Sequence, residues 1–163
     1  MTRGEPMTRG DLVMVDTNIM LSASNSNRAD HVASHRVFSS ALEMGVHLAT
    51  CGQILREYLV VATRPMEVNG LGLSLKDALI NLEWFRKRMV YLEEPESVHH
   101  TLVRLIDSHK ITGKRIHDIN IVAIMNQFSI HTLLTNNAGD FDLIPDLEII
   151  GPQEFSTVRI SPC

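Results

Sequence analysis

Four carboxylates stand where an aliphatic chain has little reason to place charge. Asp16 directly follows the apolar run LVMV (12–15). Glu57 lies in QILREYLVVATR; at 100° per residue it falls at the margin of a face made by Ile54, Leu55, Tyr58, Leu59 and Ala62, whereas Arg56 points away. Asp118, in HDINIVAIMNQF, shares one helical face with Val122 and Met125. Asp140 belongs to LLTNNAGDFDLI (133–144), where an apolar run ends in Thr135 and Asn136, Asn137, Asp140 and Asp142 follow within seven residues. A turn needs one or two such residues, not four. The Phe141 ring is expected to anchor this loop on the core and aim Asp140 inward.

Each acid also has an ordinary structural reading. Asp16 suits a helix N-cap, Glu57 a solvated boundary, Asp118 a cap or a partner of the helix dipole, and the 136–142 loop an Asx-rich turn. Taken together they suggest something else. Unpaired burial of charge is too costly to persist, and clustered carboxylates repel one another unless cations neutralise them. Hard divalent cations take oxygen ligands, and Mg²⁺ commonly combines a few carboxylates with waters and substrate phosphate. Two such ions activate water and stabilise the leaving oxygen of a phosphodiester. Asn18 and Asn137 add neutral oxygens without adding charge.

The elements that must position these groups are legible. Short apolar runs at 12–15, 46–50, 89–93, 131–135 and 147–151 read as strands, the last short and at an edge. Between them, helices are expected over 17–23, 29–44, 52–63, from Ser74 onward, 98–109 and 117–128. Val32, Val37, Phe38, Ala41 and Leu42 form the stripe of the second, and Leu75, Ala78, Leu79, Leu82 and Phe85 that of the fourth. Ser74 and Ser97 are expected caps, and Arg64-Pro65 stops the third helix. Alternating strands and helices predict an α/β fold with a mainly parallel central sheet of about five strands and helices on both faces. Ligands in such folds bind beyond the carboxyl ends of the strands, which points to Asp16 and the 136–142 loop.

The chain of 163 residues, 44% hydrophobic, suits one domain with a largely aliphatic core. The expected division is a frayed extension over 1–11, containing a duplicated MTRG, a domain over 12–155, and a tail over 156–163. No apolar run is long enough to span a bilayer, and the N-terminus lacks the apolar stretch of a secretory signal. Cys51 and Cys163 make no disulfide framework, so a reducing cytoplasm is expected. A net charge of −4 argues against passive wrapping of nucleic acid by a basic surface, but not against a nuclease whose metals supply positive charge.

The ordered set VDTNI (15–19), REYL (56–59), GKRIHDINIVAIM (113–125) and LLTNNAGDF (133–141) resembles the PIN-domain ribonucleases, most of all the VapC-type toxins of bacterial toxin–antitoxin pairs. The likeness runs from about residue 12 to Phe155. It implies a PIN-like fold and endoribonuclease activity dependent on Mg²⁺ or Mn²⁺, one or two ions, leaving a 3′-hydroxyl and a 5′-phosphate. It places the four acidic positions on Asp16, Glu57, Asp118 and Asp140, and a polar helper on Asn137 or Asn136. It further implies a homodimer and a small antitoxin partner. Ile119, where many relatives carry alanine, is a departure. A housekeeping nuclease of RNA maturation and a catalytically silent binding module of the same fold are the alternatives.

Lys110, Lys114 and Arg115, just before Asp118, either contact RNA phosphates or form a solvated loop. Arg86, Lys87 and Arg88 read as a solvated helix end. His31 and His35 have the i, i+4 spacing of a zinc pair but no third ligand nearby in sequence.

Overall fold

The structure is a computed structural model, which describes residues 7–142, 144, 147–155 and 157–158. Five strands, β1 (Leu12–Val15), β2 (His47–Cys51), β3 (Met89–Leu92), β4 (Thr132–Leu134) and β5 (Glu148–Ile150), form one sheet in the order β3-β2-β1-β4-β5, every pairing parallel. The helices are α1 (Thr17–Ala23), α2 (His31–Met44), α3 (Gly52–Thr63), α4 (Leu75–Arg86), α5 (Glu96–His109), α6 (Arg115–Gln127) and the short α7 (Pro152–Phe155).

Connection handedness explains the layering. The crossovers β1 to β2 and β2 to β3 advance in one direction and carry α1–α4 to one face. The crossover from β3 to β4 moves back past β1, so right-handedness places α5 and α6 on the opposite face. Accordingly α1 packs on α2 and α3, α3 on α4, and α5 on α6. Val13, Met14 and Val15 are all fully buried, as consecutive strand residues are only when both faces of a sheet are covered. The reversal makes β1 and β4 neighbours with connections leaving in opposite directions. This is the switch point at which doubly wound sheets open a crevice.

Several expectations need correction. Residues 7–11 of the expected extension are stitched to the fold. Met7 is buried, Thr8 donates its N–H and hydroxyl to the Asp11 carboxylate, and the Gly10 N–H donates to the Gly45 carbonyl at 2.8 Å. Residues 1–6 and most of the tail lie outside the described residues, although Val158 packs on the core. Helix α5 starts at Glu96 with Pro95 as its N-cap. The Ser97 hydroxyl caps nothing and donates instead to Gln127 Oε1. Ser74 does cap α4, accepting from the Asp77 N–H. The apolar stripes were drawn too wide: Val32, Leu42, Leu75 and Leu79 are exposed, while Val37, Phe38, Ala41, Ala78 and Phe85 carry the burial. Among the described residues, no helix is long and apolar enough to cross a membrane.

Candidate carboxylate site at the strand switch point

Asp16 occupies the N-cap position of α1 in extended backbone, yet its side chain makes no capping bond. Its Oδ2 accepts from the Thr135 hydroxyl and from Asn18 Nδ2, both at 2.6 Å. Thr135 ends the β4 run, and its Oγ1 also accepts from Asn18 Nδ2 at 2.9 Å and the Asn137 N–H at 3.0 Å. One buried hydroxyl thus ties the end of β1 to the loop after β4. The Asp16 N–H donates to the Leu134 carbonyl at 3.0 Å, which extends the strand pairing by one residue and fixes where the side chain leaves the sheet.

Glu57 is half-buried, not solvated. Its Oε2 accepts from the Thr17 hydroxyl at 3.0 Å and its Oε1 from Gln53 Nε2 at 2.7 Å. Asp118 lies in the first turn of α6 but is not its cap. The helix starts at Arg115, ahead of the expected 117, because Gly113 turns the chain with φ +64° and Lys114 takes the N-cap position. Val122 and Met125, on the same face, are buried, and so is Ile119. Asp140 is exposed, in a 3₁₀ turn over Ala138–Phe141 whose Phe141 ring is buried against the core.

Asp16 and Asp118 feel the charges of neighbouring acids. Burial pushes the Asp16 carboxyl up against the hydrogen bond from Thr135 and the nearby Thr17 N–H dipole, and the charges of Glu57 and Asp140 push in the same direction as burial. Asp118 rises from 3.8 to about 6, by burial first and then by the charges of Asp140, Asp16 and Glu57, with His117 opposing. Among the described residues none of the four forms an ion pair with Lys or Arg; the one salt bridge joins exposed Lys110 and Asp107 at 3.0 Å.

No three His, Cys, Asp or Glu among the described residues are grouped so as to hold a metal directly. The donor set is nevertheless all oxygen and uncompensated. It fits a hydrated divalent cation, which keeps several waters and takes one or two carboxylates, better than a dry cage.

The expected polar helpers divide. Asn18 braces Asp16, and its Oδ1 is engaged by the Asn136 N–H at 3.0 Å, so it organises the site instead of lending a free oxygen. The Asn136 side chain donates to Asp30 Oδ2 and to Ser22 Oγ, which ties the loop to the α1–α2 connection. Asn137 has no side-chain hydrogen bond among the described residues, and its oxygen is available. Lys114 and Arg115 are exposed and unpaired among the described residues, whereas Lys110 is held by Asp107. Thr17, Gln53, Asn120 and Thr135 were missed as site residues. Their signal in sequence is slight: Gln53 stands one helical turn before Glu57, and Thr135 closes an apolar run.

No family model matches the sequence, and no curated protein matches it. Solved structures do. A chain of the VapBC2 complex from Rickettsia felis, in a crystal structure with a DNA fragment of its promoter, is 18% identical, with a TM-score of 0.65 over 86% of this chain and 98% of that one. VapBC-1 from nontypeable Haemophilus influenzae is 16% identical, with a TM-score of 0.63 over 86% and 98% of the two chains. VapC20 from Mycobacterium tuberculosis, a toxin that cleaves the sarcin–ricin loop, is 16% identical, with a TM-score of 0.59 over 80% and 92%. The sheet order, the parallel pairing and these superpositions together show that the chain has the PIN-domain fold of the VapC toxins.

Proposed function

We propose that this protein is a divalent-metal-dependent endoribonuclease, the toxin of a toxin–antitoxin pair. The observation that carries the reading is the convergence of four carboxylates from four separate elements on the switch point of the sheet, with no Lys or Arg partner among the described residues. Mutual repulsion of that kind destabilises a fold unless a ligand relieves it.

Asp16, Glu57, Asp118 and Asp140 would hold Mg²⁺ or Mn²⁺. When bound, such ions neutralise the phosphodiester and activate water. The rest falls to the chain. Thr135 and Asn18 fix the Asp16 carboxylate, and Thr17 and Gln53 fix that of Glu57, so that neither reorganises when charge arrives. Exposed Lys114 and Arg115, at the start of the helix that carries Asp118, take flanking RNA phosphates. An antitoxin and a homodimer belong to the same proposal.

The test is cleavage of total bacterial RNA by purified protein with Mg²⁺, Mn²⁺ or EDTA, beside Asp118→Asn. Discrete metal-dependent fragments that disappear with the variant are expected. Equal cleavage by a folded Asp118→Asn protein would remove the assignment.

A further inference from the structure

Glu57 and Asp118 come from different helices on opposite faces of the sheet, and a single buried amide bridges the two helices beside them. Gln53 is buried and lies one turn before Glu57 on α3. Its Nε2 donates twice, to Glu57 Oε1 at 2.7 Å and to the His117 carbonyl at 2.9 Å. His117 immediately precedes Asp118. The amide therefore grips one acid directly and the backbone beside the other.

Its orientation is also fixed. Gln53 Oε1 accepts from Asn120 Nδ2 at 2.9 Å, and the same Nδ2 donates to Glu94 Oε1 at 3.3 Å. Turning the Asn120 amide over would set its oxygen against two acceptors. It stays as it is even though Asn120 Oδ1 is left buried without a partner. With Asn120 donating, Gln53 must present its oxygen to Asn120 and its NH₂ to Glu57 and α6. All three hydrogen-bonding positions of the Gln53 amide that face protein are thereby used.

We propose that Gln53 is a positioning residue, which clamps the Glu57 carboxylate to the first turn of α6 and thereby sets the Glu57–Asp118 spacing; its consequence for metal binding rests on the nuclease reading above. Gln53 does not touch RNA or the reacting atoms. Asn120 acts one step behind it by choosing which end of the amide faces Glu57.

Gln53→Met keeps the bulk and removes every hydrogen bond. Three readouts decide the matter, all on full-length protein with Mn²⁺ as the probe. In metal-free protein, hydrogen exchange should quicken at residues 118–121 of α6 while α5 keeps its protection. By calorimetry, Mn²⁺ affinity should fall about tenfold or more, the usual effect of losing a partner behind a ligand. In the Glu57→Gln background the same change should have almost no effect on Mn²⁺ affinity, because a group acting through Glu57 cannot add to its loss. Asn120→Ala should move each readout in the same direction by less. Where RNA is cleaved, kcat should drop with KM unchanged.

Unchanged exchange in α6, or a Gln53→Met effect of equal size with and without Glu57, overturns the proposal. If wild-type protein binds no Mn²⁺, the nuclease reading fails, and the exchange readout still decides the clamp. Should Gln53→Met fail to fold, Asn120→Ala carries the same comparisons.

Discussion

Replacing Asp118 by Asn should make the metal-free protein more stable and, on the nuclease reading proposed above, abolish cleavage. The Asp118 carboxyl sits at about 6 instead of 3.8, because it is partly buried among the charges of Asp140, Asp16 and Glu57. The native state holds that proton more tightly than the unfolded chain does. Folding with an ionised Asp118 is therefore penalised, fully above about pH 6, and the penalty fades as pH falls toward 3.8. The whole shift corresponds to about 3 kcal/mol. Because Asp118 is only half-buried, solvent screening reduces this to about 1–1.5 kcal/mol. For a chain of this length each kcal/mol moves the melting temperature by about 2–4 °C. Asp118→Asn should then melt about 2–6 °C above wild type at pH 7.5 in EDTA, followed by circular dichroism. The gap should shrink to well under half at pH 4. Millimolar Mn²⁺ should raise wild type more than the variant and narrow the gap from the other side. Equal melting temperatures at pH 7.5, or a gap that persists at pH 4, would refute the electrostatic reasoning.

The remaining expectations concern the groups around the acids. Thr135→Val strips Asp16 Oδ2, Asn18 Nδ2 and the Asn137 N–H of their shared hydroxyl, so a loss of about 1–3 kcal/mol in urea denaturation is expected, whereas Thr135→Ser should recover most of it. Phe141→Ala empties a fully buried site beneath the Asp140 turn and should cost about 3–5 kcal/mol; a loss under about 1 kcal/mol would mean the turn is not anchored there. If Asp118 is a ligand, Mn²⁺ competes with protons for it, and Mn²⁺ affinity, measured by calorimetry, should weaken steadily as pH falls through about 6. A flat profile between pH 7 and 5 would count against Asp118 as a ligand. Lys114→Ala with Arg115→Ala should raise KM for RNA and flatten its salt dependence, with kcat nearly unchanged.

The layout of the sheet was readable because each strand is a short apolar run closed by a polar residue or a glycine. The β1 and α3 boundaries fell where Asp16 and Arg64-Pro65 mark them. Helix α6 began earlier than its apolar pattern, because Gly113 supplies a left-handed turn whose effect on helix register is backbone geometry, not hydropathy. Ser97 looked like a cap, but capping is a contest, and Pro95 already fixes the extended entry to α5. The acids stood out singly, Asp16 at the end of an apolar run, Glu57 and Asp118 at or on an apolar helical face, and Asp140 in an over-polar loop. The hydrogen bonds that organise them did not, since Thr135 meets Asp16 across 119 residues and Asn120 meets Gln53 across 67. No local pattern encodes such a meeting. A threonine at a strand end and a glutamine in a helix look alike whether they hold a carboxylate or face water.

The return crossover from β3 to β4 also has a consequence in time. Strands β1, β2 and β3 with α1–α4 form a contiguous parallel half that needs nothing beyond residue 92 to pair. That half carries Asp16 and Glu57 but lacks Thr135, Asp118 and Asp140. The bond that orders Asp16 forms only when β4 slots in beside β1, after the longest loop closure in the sheet. A ribosome making this chain therefore carries an incomplete carboxylate cluster until the last third has emerged, and the cluster and the finished fold appear together.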